Sequence, residues 1–231
     1  MAEEERESYK SKLLKTGDLP LKNMAEIELK KIETEMLAGK LRFHELIKNA
    51  DQKKLPIDIL IDYSRLRGTI TGVYNDMMIV VSWSKSETKY LLDAYINYLA
   101  ARASGYEVKM YFISYVKDDV FLAAEISQGD ALKKLKELLQ LYKQGHENIL
   151  VFDPGFKIKP DAIENVDDRT FKKELKDKLD NFNFVTSDNY MNNEYINGFY
   201  AKENVIEDYK KVARKLLFPL AHIFPEYYQK H

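Results

Sequence analysis

LRGTITGVYNDMMIVVSWSK, residues 66–85, decides the fold. Two runs of alternating side chains, Leu66–Val73 and Met77–Trp83, flank the turn Tyr74-Asn75-Asp76. Asn and Asp tolerate the positive φ angles of tight turns, so the stretch predicts a β-hairpin. A helix is predicted from Glu87 to Ser104, with Gly105 as its C-cap. Upstream, Ile57–Ile61 reads as a further strand. Downstream, Val108–Tyr115 is a strand with Val108, Met110 and Phe112 on one side and Lys109, Tyr111 and Ile113 on the other. After the turn Lys117-Asp118-Asp119, Val120–Ile126 can return as another strand. A helix connecting two strands of one sheet implies at least one parallel pairing.

The flanking segments are helical in pattern. Residues 1–54 form a helical lead-in expected to pack on the core of residues 55–231. Within it, Met24, Ala25, Ile27, Leu29, Ile32, Met36 and Leu37 recur at helical spacing between Pro20 and Gly39. Leu41–Ala50 reads as a second short helix, closed by the polar Asp51–Lys54. Residues 128–145 place Leu132, Leu135, Leu138, Leu139 and Tyr142 on one stripe, with Gly145 as the stop. Phe152–Asp168 is loop-like, punctuated by Pro154-Gly155 and Pro160, and two more helices are predicted at Thr170–Leu179 and Glu203–Phe218.

Gly68-Thr69-Ile70-Thr71-Gly72, then Ser82-Trp83-Ser84, then Leu91 four residues before Tyr95 form an ordered set. The set resembles the frame of PD-(D/E)xK nucleases, whose RecB-like members carry roughly G-x-I-D-R, D-Y-K and Q-x-x-x-Y. In that frame an Asp and an acidic triplet residue hold a divalent cation and orient water. Here the Asp position is Thr71, the acid of the triplet is Ser82, its Lys is Ser84 and the Gln is Leu91. A hard divalent ion prefers anionic oxygen, and two neutral hydroxyls are poor substitutes for two carboxylates. The resemblance implies a restriction-endonuclease-like α/β (α+β) fold, a mixed sheet flanked by helices, with no catalytic residue and no bound cofactor or metal.

A narrower resemblance spans nearly the whole chain. Leu13–Leu37, the hairpin, Asp93–Ala100, Ala131–Gly145, Leu150–Pro154 and Tyr209–Pro219 fall in one order. They are similar to the C-terminal domain of RecC, the gamma subunit of exodeoxyribonuclease V. The chain departs from that family in preferring Lys, Tyr and Asn where the family is richer in Arg and Trp. The resemblance implies RecB-like and RecD-like partner subunits, DNA handled within their complex and a role in assembly and strand guidance; the absence of cysteine suits the reducing cytoplasm, the location expected.

The alternative is an active divalent-metal nuclease whose acids have migrated. Asp58, Asp76, Glu87, Asp93, Asp118, Asp119 and Glu125 are near enough in sequence to be weighed, and Lys85 sits one residue beyond the Lys position. A one-residue slip along a strand changes the face, so Lys85 needs a bulge to take that role. His44, His146, His222 and His231 share no ligand-like spacing. There is no Cys, no G-x-S-x-G elbow and no glycine-rich phosphate loop. Trp83, the only tryptophan, is expected opposite Ser82 and Ser84 and buried.

Composition bounds these readings. The 231 residues are 45% hydrophobic and 32% charged, as in an ordinary globular protein. Net charge is −1, from 36 basic and 37 acidic side chains, so a nucleic-acid role needs a local patch or partner subunits. The charged start MAEEERESYK carries no signal-peptide pattern, and apolar runs such as Met77–Val81 are too short to cross a bilayer. Tyr190, Tyr195, Phe199 and Tyr200 lie in a stretch, 181–201, without Lys or Arg. Phosphate binding lacks its cations there, so these rings are candidates for a protein interface.

Overall fold

The computed structural model describes residues 3–17, 23–174 and 204–230. They belong to two compact units, Met1–Lys48 and Asn49–His231. In the first unit, α1 (Glu3–Thr16) and α2 (Asn23–Leu46) meet through Leu13 and Leu14 against the buried Ala25 and Leu29. Two expectations are corrected here. α2 runs through Gly39 into Leu41–Leu46 without a second helix. A lone glycine costs a helix only about 1 kcal/mol, and the strong helix formers around it carry the turn onward. The polar segment before Leu55 is not a closing loop, because β1 (Gln52–Ile61) already starts there. Gln52 and Lys53 pair with Tyr74 and Val73 while their side chains stay exposed, which gives a strand end the composition of a loop.

The second unit holds a five-stranded sheet in the order β1-β2-β3-β4-β5, with β2 at Ser64–Tyr74, β3 at Met77–Val81, β4 at Lys109–Ser114 and β5 at Asp119–Leu122. Three tight turns carry non-glycine residues at positive φ: Asp62 (52°), Asn75 (54°) and Asp118 (48°). Asp and Asn reach this region at the least steric cost among residues with a Cβ. β1–β2, β2–β3 and β4–β5 are antiparallel, whereas β3 and β4 are parallel. α3 (Thr88–Ala103) is the crossover between that parallel pair. The architecture is α+β, a mixed sheet flanked by helices.

Period-two burial is sharpest in β1. Leu55, Ile57, Ile59 and Ile61 face the core, and Pro56, Asp58 and Leu60 face out. β1 is an edge strand, where the missing N–H of Pro56 is tolerated. β2 pairs with β3 only at Val73–Met78 and Tyr74–Met77. Gly72, at φ +74°, marks where the two strands diverge, and a Cβ there would lie 3.3 Å from the Ile79 carbonyl oxygen.

α3 begins after Glu87 and ends at Ser104, where Gly105 N–H bonds to the Arg102 carbonyl and Tyr106 N–H to the Ala101 carbonyl. This is a Schellman closure, and Gly105 supplies its left-handed residue at φ +86°. β5 stops at Leu122, short of the expected Ile126, because Ala124 N–H turns to the Ile223 carbonyl at 2.7 Å. α4 (Gln128–Glu147) is capped by Ser127, whose hydroxyl accepts the Asp130 N–H. Its inner stripe is Ala131, Leu135 and Leu141; Leu132 and Tyr142, expected inside, are exposed. Gly145 does not stop the helix but faces Leu150, whose Cδ1 would meet a Cβ at 3.1 Å.

A loop with a single 3-10 turn, Pro160–Ala162, leads to a helical stretch at 168–174. The rest of the helix expected at Thr170–Leu179 lies outside the described residues. α5 (Val205–Ile223) continues past the expected Phe218 through Pro219, and α6 (Pro225–Gln229) follows. One core joins Leu91, Tyr95 and Tyr98 of α3, Phe112 of β4, Phe171, and Tyr209 and Leu220 of α5.

Candidate functional site

The end of β3 and the start of α3 are where the nuclease frame would hold its metal. Ser82 extends the parallel ladder, its N–H donating to the Ile113 carbonyl at 2.9 Å. Its side chain is buried, and its hydroxyl accepts the Ser84 N–H at 3.3 Å. The Ser84 hydroxyl in turn accepts the Ser86 N–H at 3.2 Å. Both hydroxyls shape the strand-to-helix turn through local side-chain-to-backbone bonds, a habit of serine outside regular structure.

Thr71 is exposed on β2, one residue before Gly72, whereas Ser82 is buried; the two do not share one environment. Leu91 is fully buried on α3, as is Tyr95, whose phenol is pushed up by burial and then by the charge of Glu137. Trp83, expected in the core, is 40% exposed. β3 ends at Val81 and Ser82 keeps the inward place through its ladder bond, which turns the next side chain outward.

The acidic residues are dispersed. Asp76, Asp93, Asp118 and Glu125 are exposed, as is Lys85. Asp58 accepts two bonds from Arg65, at 2.6 and 2.7 Å, which hold its carboxyl below the usual range. Asp119 accepts the Val120 N–H at 2.8 Å and pairs with Lys230.

Glu87 is different: it is 3% exposed and accepts four hydrogen bonds. One carboxylate oxygen takes the Tyr115 and Val116 N–H groups at 2.8 and 3.3 Å. The other takes the Ser114 hydroxyl at 2.6 Å and the Tyr227 hydroxyl at 2.9 Å. A carboxylate offers about four lone-pair sites, so this one has none left for a cation. The Tyr227 phenol is pushed up by burial first and by the Glu87 charge second. Its ring packs edge-on against Phe112 and Phe121, at 5.8 and 5.2 Å between centroids. Glu87 therefore ties the start of α3, the end of β4 and α6 together.

Among the described residues, no group of three His, Cys, Asp or Glu side chains is gathered as a metal site. His44 and His146 pack edge-on against Phe43 and Tyr142, and His222 Nδ1 lies 2.8 Å from the Phe218 carbonyl oxygen. His231 and the candidate interface residues Tyr190, Tyr195, Phe199 and Tyr200 lie outside the described residues. No helix among the described residues is long and apolar enough to cross a membrane.

The sequence offered Glu87 only as one carboxylate among seven. Its partner Tyr227 is 140 positions away, and nothing local marks the pair. The one available signal was a glutamate just before a helix, where Ser, Thr, Asp or Asn is the usual cap.

No individual curated protein matches the chain. A family model for the RecC C-terminal domain, part of a RecBCD-type complex in DNA repair, matches residues 1–159. That span takes in the hairpin, the α3 crossover, β4, β5 and α4, and with them the serine turn and three of the four donors to Glu87; Tyr227 lies beyond it. The chain belongs to the RecC C-terminal domain family.

Proposed function

We propose that this domain is a catalytically silent PD-(D/E)xK-like module of a RecBCD-type complex, acting in subunit assembly and DNA strand guidance. The nuclease-like part of this reading is supported by the order hairpin, α3 crossover, parallel β4. The silent part is supported by one observation above others: the buried carboxylate nearest the frame, Glu87, already accepts four hydrogen bonds. The serines at the triplet positions likewise have their hydroxyls engaged by the backbone. In this reading Tyr190, Tyr195, Phe199 and Tyr200 contact a RecB-like or RecD-like subunit, and replacing all four by Ala abolishes co-purification with it.

The catalytic question has a direct test. The isolated chain, incubated with Mg²⁺ or Mn²⁺ and single- or double-stranded DNA, is expected to leave both intact, because Thr71 and Ser82 offer only neutral oxygens. Asp76→Ala and Asp93→Ala variants run beside it identify contaminating nuclease. Metal-dependent cleavage that disappears in either variant would establish a migrated site and replace this reading.

A further inference from the structure

Under the start of α3, next to the Glu87 cluster, lies a cavity of about 180 Å³ between the loop 152–160, α5 and α6. Pockets for drug-sized ligands begin near ~300 Å³, so this one suits a single small group. Lys117, Lys157 and Lys159 line it, with Thr88 at the first turn of α3. None of the three lysines forms an ion pair among the described residues. The one carboxylate in the wall, Asp153, accepts the Gly155 N–H at 2.6 Å.

Two further observations favour an anion as the ligand of this cavity. The ammonium group of Lys117 lies 4.9 Å over the Tyr227 ring and donates to the Lys230 carbonyl. Burial, and then the charge of Lys159, hold it below the usual lysine range, against the opposing charge of the Glu87 carboxylate. Two cations thus share this space and repel each other. Tyr209, also in the wall, is fully buried, and its hydroxyl has no hydrogen-bond partner among the described residues. Buried phenols ordinarily find an acceptor. A wall of ammonium and hydroxyl donors matches a ligand that only accepts, and a phosphate group is such a ligand.

We propose that this cavity holds one phosphate of a single-stranded nucleic acid, gripped by Lys117, Lys157 and Lys159 with the Tyr209 hydroxyl donating to a phosphate oxygen. The choice of nucleic acid rests on the strand-guidance reading above; the choice of phosphate rests on the wall itself.

The test is fluorescence anisotropy of the full chain with a labelled oligothymidylate across a salt series. Replacing Lys117 and Lys159 together by Ala is expected to weaken binding about tenfold and to flatten the salt slope by roughly 0.7, the value of one phosphate on a single strand. Tyr209→Phe keeps the ring and is expected to weaken binding about threefold. Lys211→Ala, a charge loss outside the cavity, is expected to change nothing. Lys159→Gln, at an exposed position, serves if the double variant does not fold. Equal affinity and slope in the wild type and the lysine variants would overturn the cavity as the site and leave strand guidance standing. If the wild type binds no oligothymidylate while inorganic phosphate still raises its melting temperature, and not that of the lysine variants, the nucleic-acid source is overturned. Absence of both effects would overturn the cavity and the strand-guidance reading together.

Discussion

Glu87 shows how one side chain is fixed by many donors. Ser114, Tyr115, Val116 and Tyr227 all converge on it. Glu87→Gln keeps one acceptor oxygen and turns the other into an NH₂ group, which faces the Ser114 and Tyr227 hydroxyls or the two backbone N–H groups. Leaving buried donors unmatched costs ~1–3 kcal/mol each. The expected loss is about 2–3 kcal/mol, a fall in melting temperature of roughly 4–12 °C for a unit of this size. Tyr227→Phe removes one donor and preserves the ring packing, so a loss of about 1 kcal/mol is expected. Denaturant unfolding of both variants measures the difference; equal losses would show that the carboxylate matters only through Tyr227. At this scale Leu91 and Tyr95 stand out in the sequence only as positions of the nuclease frame, yet both are core residues, and Trp83, expected in the core, is not. Alternation ceases to predict burial where a strand has ended.

Among the elements, the hairpin was the most legible and its divergence the least. Alternating runs about Asn75 predicted β2 and β3, and both formed. That β2 leaves β3 after two pairs and runs along β1 was hidden, because a glycine in a strand is read as weakness before it is read as a corner. Gly72 should therefore resist substitution. Gly72→Ala forces an L side chain into the left-handed region and against the Ile79 carbonyl oxygen, at an expected cost of about 2 kcal/mol. Gly68, on the same strand, has no atom within 4 Å of a would-be Cβ and no positive φ. Gly68→Ala is expected to fall within about 0.5 kcal/mol of wild type. Chemical denaturation of the pair checks this, and similar values for the two would remove Gly72 as the corner. α4 taught the converse lesson: its length was visible, but of five residues assigned to the inner stripe only Leu135 is buried. Ala131, too small to weigh in a hydrophobic pattern, takes an inner place.

For the molecule as a whole, the large core draws its buried residues from Leu55 onward, while Ala25 and Leu29 form their own small cluster. Residues 49–231 are accordingly expected to fold alone and to melt cooperatively within a few degrees of the full chain. Circular dichroism melting of that fragment tests this; a non-cooperative melt would mean that the first 48 residues complete the core. Fold class was readable at this scale because strand and helix periods alternate plainly from Leu55 to Leu141. α5, which packs on α3 and α4, was harder to place. Its pattern announces an amphipathic helix, but the contact of Tyr209 with Phe156 and Phe171 joins segments far apart in sequence.

The Glu87 cluster also carries a timetable. Three of its donors lie only 27 to 29 residues downstream, on the end of β4 and the turn after it. The fourth, Tyr227, is 140 residues downstream. A chain synthesised from its N-terminus can seat the carboxylate against Ser114, Tyr115 and Val116 once β4 and the turn after it have emerged. The cluster then stands open on one side through the making of α4, the long loop and α5. Loop-closure entropy rises slowly with length, so the late contact remains accessible despite the distance. At roughly 5–20 residues per second of synthesis, that interval is on the order of ten seconds, and α6 closes it from outside like a stopper.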